Sequence, residues 1–366
     1  MNLNSSQKSY SLDDIRKNWK LLDDEAFPDI DDVRLISHEH YVSFTDVRVE
    51  FIPAWRFSKN FLNLSFFYWF LYALRLLFAA TQETVIIVNG GITWLWVWCG
   101  ILNIFPFIGR KTLLCWDIFV EFRHGAGRIF KISAKRKEKI ARFVLDKYKI
   151  NVLWSAKQVK LHADHFHLPE DRFIYIPYKA NHSIRETFEI PMNNFVFAGG
   201  NGKRDYQCLI DAVEDTGIPV IISATDPKVR AQIKTLPNVM IIGAPEPAFG
   251  QLQAASRFVV IPMIYTGLKG GGEANFCNAM WHKKPIIAVD SMSAEEYIIE
   301  GKTGYVIKSG DSSALREKIL LLWNNPALCE EMGIQGRKHV EEYFTHRKFL
   351  RRLLRLALLC GKNKSA

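Results

Sequence analysis

From about residue 40 onward, short continuous apolar runs alternate with stretches whose apolar residues recur every three or four positions. Unbroken apolar runs of four or five residues read as strands buried on both faces, as in a parallel sheet covered by helices. In the first half these strand candidates are residues 47–52, 85–88, 112–116, 151–154 and 173–176. A loop rich in polar and turn residues follows, from 177 to 194. The alternation then restarts, with strands expected at 195–198, 219–222, 239–242, 258–261, 285–289 and 305–307. Helical stretches lie between them, for example 204–214, 228–234, 274–282 and 312–323. Two such blocks joined by one linker predict an α/β protein with two doubly wound, Rossmann-like domains facing across a cleft, residues 1–185 and 190–343. Ligands then belong at the carboxyl ends of the strands, beside helix N-termini.

Two apolar runs exceed what strands need. Residues 61–80 (FLNLSFFYWFLYALRLLFAA) carry one charge, Arg75, and residues 93–108 (TWLWVWCGILNIFPFI) carry none. Twenty apolar residues suffice to cross a hydrocarbon core. The first run therefore admits three readings: a span, a helix inserted into one leaflet, or an unusually apolar core helix. The second is short and holds Pro106. Between them TVIIVNGG looks like a buried parallel strand ending in a glycine turn, which favours ordinary α/β packing.

Composition narrows the class. With 366 residues, 48% hydrophobic and 23% charged, the chain is neither a disulfide scaffold, nor a fibre, nor a low-complexity tract. A net charge of +10 calls for an acidic partner: nucleic acid, a phosphorylated ligand or an anionic membrane. The charge is concentrated. Residues 123–149 hold a local +8 and residues 347–364 a local +7, on a remainder that is net acidic. Nucleic-acid binders interleave aromatics with such patches. Here six of the ten tryptophans lie elsewhere, between Trp55 and Trp116, which argues against nucleic acid. Residues 128–149 read as an amphipathic helix, whose ordinary fate is a solvated face. Beside tryptophan-rich apolar segments, it also suits an anionic leaflet. The six cysteines show no C-x-x-C and no zinc spacing, and the polar N-terminus lacks a signal core. Both point to reduced thiols in a cytoplasmic protein.

Candidate chemistry concentrates in the second half. In FVFAGGNGKRDY a strand ends at Gly199 and Gly200, and a helix begins near Asp205 with Lys203 and Arg204 beside it. Glycine lets the backbone approach a ligand closely, and a helix end offers unpaired N–H groups and a positive dipole. This is a diphosphate cradle or a plain strand-to-helix turn. In PMIYTGLKGGGEANFCNAM, Lys269 and the glycines Gly270, Gly271 and Gly272 precede a helix carrying Glu273, Asn275 and Asn278. Three glycines in a row cost conformational entropy that a structural turn does not require, so a ligand loop is favoured. Glu296, after the next strand, either faces the cleft or is a first-turn helix acid.

These strings, with AEEYIIEGKTGYVIKSGDSSALREKILLLWNNPALCEEMG after them, resemble in order and spacing the donor-binding domain of GT-B glycosyltransferases, family 4-like (glycosyl transferases group 1). The resemblance implies a GT-B architecture. It also implies transfer of a sugar from a nucleotide-diphosphate sugar to an acceptor hydroxyl with the anomeric configuration kept. No cofactor, metal or covalent enzyme intermediate is implied. It assigns Arg204, with Lys203 in support, to the donor diphosphate. Gly199, Gly200, Lys269 and Gly270 to Gly272 go to the phosphates and sugar, and Glu296 to the nucleotide. The family often carries two glutamates eight apart, where this chain has Gly270 and Asn278. Asn278 is left to bond ribose hydroxyls, and Glu273 to stand in at the sugar.

The first half resembles the family in outline only. Asp117, ending KTLLCWDIF, takes the acceptor-facing position or caps the next helix. Gly90, Gly91, His38, His40 and His124 are further candidates, the histidines read first as ordinary surface or internally satisfied residues. The basic last helix, residues 344–366, is expected to cross back to the first domain. The reading is a hexosyltransferase-type enzyme acting on a lipid-linked or polysaccharide precursor, peripheral on the inner face of the cytoplasmic membrane. A sugar-nucleotide epimerase of the same fold and a non-catalytic membrane-associated partner of a glycosyltransferase are the alternatives.

Overall fold

The computed structural model describes residues 10–25, 27, 33–37, 49–52, 65–81, 84–91, 93–108, 111–117, 133–184, 194–264, 268 and 271–362. The chain divides into two compact units, Met1–Ile176 with Leu350–Ala366, and Pro177–Phe349.

The first unit runs α1 (Leu12–Lys17), β1 (Leu35–Ser37), β2 (Val49–Phe51), α2 (Ser65–Ala79), β3 (Val85–Asn89), α3 (Thr93–Leu102), β4 (Thr112–Trp116), α4 (Ala134–Lys147), β5 (Ile150–Leu153), α5 (Ala156–Phe166) and β6 (Phe173–Tyr175). Its sheet is parallel, in the order β2-β1-β3-β4-β5-β6. The expected strands are present within a residue or two at each described end. The one not anticipated, β1, is only three residues long, yet all three are buried. From β2 to β6 each crossover advances the same way along the sheet. Right-handed connection therefore puts α2 to α5 on one face. Tyr72, Leu76, Trp96, Val144 and Phe166 from those helices share one core with Tyr148, which caps α4. The Tyr148 hydroxyl donates to the Trp96 carbonyl at 2.9 Å.

The 61–80 run becomes α2, with residues 61–64 outside the described set. Its 15 residues reach about 22 Å, short of a hydrocarbon core of about 30 Å. Among the described residues no helix is long and apolar enough to cross a membrane. The six cysteines are all buried and unpaired.

The second unit runs β7 (Val196–Gly199), α6 (Tyr206–Val213), β8 (Val220–Ser223), α7 (Pro227–Arg230), β9 (Val239–Ile242), α8 (Ala248–Ala255), β10 (Phe258–Ile261), α9 (Glu273–Trp281), β11 (Ile286–Val289), α10 (Ala294–Tyr297), β12 (Gly304–Ile307), α11 (Ser312–Asn324) and α12 (Pro326–Tyr343). The expected helix over 228–234 shrinks to the single turn α7. The sheet order is β12-β11-β10-β7-β8-β9, again parallel. β7 to β9 advance one way and β10 to β12 the other. The order therefore reverses between β7 and β10, the switch point at which such sheets leave room for a ligand.

The last helix, α13 (His346–Lys362), starts in the second unit and belongs to the first from Leu350 onward. Not all of its arginines are solvated. Arg352 is fully buried, ion-paired with Asp23, and its guanidinium lies 4.3 Å from the Trp19 ring centre. Arg355 donates to the Leu22 and Asp24 carbonyls, each at 2.8 Å. Burial demands partners for these cations, and the turn at 22–24 supplies them.

Candidate functional site

The loops after β7 and β10 flank the switch point, and backbone hydrogen bonds tie them together. Asp205 N–H donates to the Pro262 carbonyl at 2.8 Å, and Ile264 N–H to the Lys203 carbonyl at 2.9 Å. Both glycine-rich turns of the sequence therefore meet at one place. Gly200 has φ +124° and Lys203 φ +52°, so the first loop uses the left-handed region twice. Asp205 then caps α6, accepting from Cys208 N–H at 3.0 Å.

Arg204 is half-buried in the middle of this junction. Its Nε donates to the Gly199 carbonyl at 3.1 Å and its Nη1 to the Gly202 carbonyl at 2.8 Å, with the Met263 sulfur alongside. Nη2 makes no hydrogen bond to a described residue. A Cβ on Gly200 would stand 2.8 Å from that atom, so the glycine keeps the approach to it open. Burial pulls the guanidinium below its ordinary value, opposed by Tyr206 and Glu273. It stays charged.

The second loop ends at Gly272, φ +97°, which is the N-cap of α9. A Cβ on Gly271 would collide with the Met263 methyl, and one on Gly272 with the Phe276 ring. Asn275 Nδ2 reaches back to the Gly199 carbonyl at 3.3 Å. Glu273 differs from the reading that set it at the sugar. It is 4% exposed and accepts from the Ser293 hydroxyl at 2.7 Å. Burial pushes its carboxyl up. The Ser293 hydroxyl, the N–H groups of Glu273 and Gly271, and the Arg204 charge pull the other way. Glu273 is thus an internal counter-charge to Arg204 and braces the start of α9. Asn278 is also inward. It is 5% exposed, and its Oδ1 accepts from His182 N–H at 3.2 Å. Glu296 sits in the single turn α10 after β11, half-exposed, at the same carboxyl edge of the sheet. Lys269 and Gly270 lie outside the described residues.

The participants that sequence reasoning missed are Ser293 and Met263; Asn275 was named on the helix but given no role. Only Ser293 had a signal, its place just after a strand end in the string SMSAEE.

Within the first unit, Asp117 follows β4 with φ +60°, a conformation aspartate tolerates. Gly90 N–H donates to the Trp116 carbonyl at 2.7 Å, and a Cβ on Gly91 would lie 3.3 Å from Asp117 Oδ2. The glycine turn and Asp117 therefore sit together at the carboxyl edge of that sheet. His38, His40, His124 and the residues directly after Asp117 lie outside the described set. Among the described residues no group of three His, Cys, Asp or Glu is placed to hold a metal.

Residues 177–339 match the family model for glycosyl transferases group 1. A putative glycosyltransferase of Bacillus subtilis, EpsD, is 35% identical over 75 residues, 20% of each chain. The chain spans about a fifth of the length of the curated relatives it matches. A glycosyltransferase structure from Rickettsia africae superposes with TM-score 0.58 at 14% identity, covering 96% of this chain and 94% of that one. The Anabaena protein HepE in complex with UDP-glucose gives TM-score 0.57 at 15% identity, covering 87% and 86%. The fold is the GT-B architecture of two parallel α/β units.

Proposed function

We propose that the chain is a retaining, family 4-like glycosyltransferase that moves a sugar from a nucleotide-diphosphate sugar to an acceptor hydroxyl. One observation carries this reading. Both glycine loops converge on Arg204 at the switch point, and its guanidinium is fixed by two carbonyls with Nη2 uncommitted to any described group. The barrier to transfer is departure of the diphosphate with developing negative charge. A pre-fixed cation stabilises that charge without reorganising at the moment of reaction. Lys203 and Lys269 add positive field, and the glycines let the diphosphate approach the backbone. Glu296 holds the nucleotide, and Asp117 serves the acceptor side. Glu273 acts by holding Arg204 and α9 in place. A uridine nucleotide is the first donor to try, because the Anabaena neighbour was crystallised with UDP-glucose. The acceptor is a polysaccharide or lipid-linked glycoconjugate precursor at an anionic membrane face inside the cell.

The test is a panel of nucleotide-diphosphate sugars with a membrane-extracted acceptor. Free nucleoside diphosphate should appear only when the acceptor is present, with the product's anomeric centre matching the donor's by NMR. Inversion would overturn retention. Affinity for no donor, in a folded sample, would overturn the enzymatic reading in favour of a non-catalytic partner. The inward turn of Glu273 and the absence of glutamate at 270 and 278 favour that second reading.

A further inference from the structure

The outer surface of the α2–α4 layer in the first unit has no part in the donor chemistry. On α2, Phe67, Leu71 and Phe78 are exposed, Phe67 by 54% and Phe78 by 62%. At 3.6 residues per turn these three fall within about 40° of one another, a single stripe. The opposite side of the same helix buries Tyr72, Leu76 and Leu77 in the core. Beyond α3, the Phe105 and Phe107 rings lie 5.5 Å apart, tilted by 34°, with Phe107 72% exposed.

α4 packs beside α3 in this layer and supplies charge. Its Ala141, Val144 and Leu145 face the core. Lys135, Arg136, Lys139 and Arg142 are exposed on the other side, and none makes an ion pair with a described carboxylate. Exposed Phe143 stands at the edge of that cationic stripe, with Lys147 Nζ 4.9 Å from its ring centre. Apolar groups project from two places in the layer, and exposed cations line the third helix.

We infer that this face of the first unit docks on a bilayer surface bearing anionic headgroups, with the α2 stripe and Phe107 entering the interface and α4 held by the headgroup charge. The inference rests on the membrane part of the proposed function and gives it residues. Charge complementarity selects the occupant. A second copy of the chain would bring the same four cations to the contact, whereas an anionic leaflet neutralises them while accepting the aromatic groups. The inner side of α2 is core, so the helix does not face lipid all round.

The experiment is flotation of the full chain with equimolar phosphatidylglycerol–phosphatidylcholine vesicles, and with phosphatidylcholine alone, at low and high salt. Wild type should float with the anionic vesicles only, and release as salt screens the charges. Charge reversal K135E/R136E/K139E/R142E should cut partitioning by more than about 100-fold, at roughly fivefold per cation near a charged surface. F67S/L71S/F78S should lose partitioning while retaining the same circular dichroism. Wild-type protein that stays soluble at low salt overturns the inference. So do variants that float like wild type, or a wild-type dimer that F67S/L71S/F78S converts to monomer. Donor affinity is measured on each protein by calorimetry. A protein that floats yet binds no donor sinks the transferase reading and leaves this one standing.

Discussion

Arg204 shows what a single residue can and cannot reveal beforehand. Its cationic role was legible from its place after a strand and a glycine pair. That its Nε and Nη1 would be consumed by Gly199 and Gly202 was not, because those bonds depend on the loop's left-handed turns. Arg204→Ala should lower turnover about 100- to 1,000-fold, the usual cost of deleting one fixed transition-state donor, with the thermal midpoint little changed. Steady-state kinetics beside a melting curve decides this, and near-wild-type turnover defeats the diphosphate assignment. Gly200→Ala should cost about 1–2 kcal/mol in urea unfolding, from its φ of +124°, and weaken donor binding by crowding Nη2. Asn278 and Glu273 were set at the ribose and the sugar by resemblance, with no sign of their inward contacts. Their partners, His182 and Ser293, lie 96 and 20 residues away, and no local pattern marks them.

At the scale of elements, periodicity located nearly every strand of both sheets but missed β1. Three residues are too few to show alternation or a run, and β1 is a strand only because β2 and β3 pair with it on either side. The C-terminal helix was legible as basic. Which arginines point inward was decided by Asp23 and the carbonyls around it. Asp23→Ala should therefore destabilise the first unit by about 3–5 kcal/mol, because it strands the Arg352 charge in the interior. A drop of less than 1 kcal/mol in denaturant unfolding would show that the pair contributes little. The apolar 61–80 run illustrates the same limit. Hydropathy alone left span, insertion and core open, and the structure makes one side core and the other side surface.

For the whole molecule, each unit carries a buried histidine held neutral. Burial pulls His162 down to about 4 and His282 to about 3. In the unfolded chain both titrate near pH 6.5. Between that value and the folded one, the unfolded state binds the proton and the native state does not, so stability rises with pH and is lost as pH falls. Each histidine contributes a slope of about 1.4 kcal/mol per pH unit across that window. Urea midpoints should therefore fall from pH 7 to pH 5, and His162→Leu should flatten the fall for the first unit. Equal slopes in wild type and variant would contradict this assignment.

The amino-acid sequence by itself determined the alternation of strand and helix, the two blocks, and the two glycine turns beside cations. All of these are local: they follow from side-chain period, backbone freedom and charge within a dozen residues. Tertiary structure alone decided the strand order that reverses between β7 and β10, and so brings those two turns to one switch point. It also decided which buried polar groups answer one another and which side of α2 stays outside. The reason is physical. A desolvated charge or amide must find a partner, many residues along the chain could serve, and only packing brings one of them within hydrogen-bond reach.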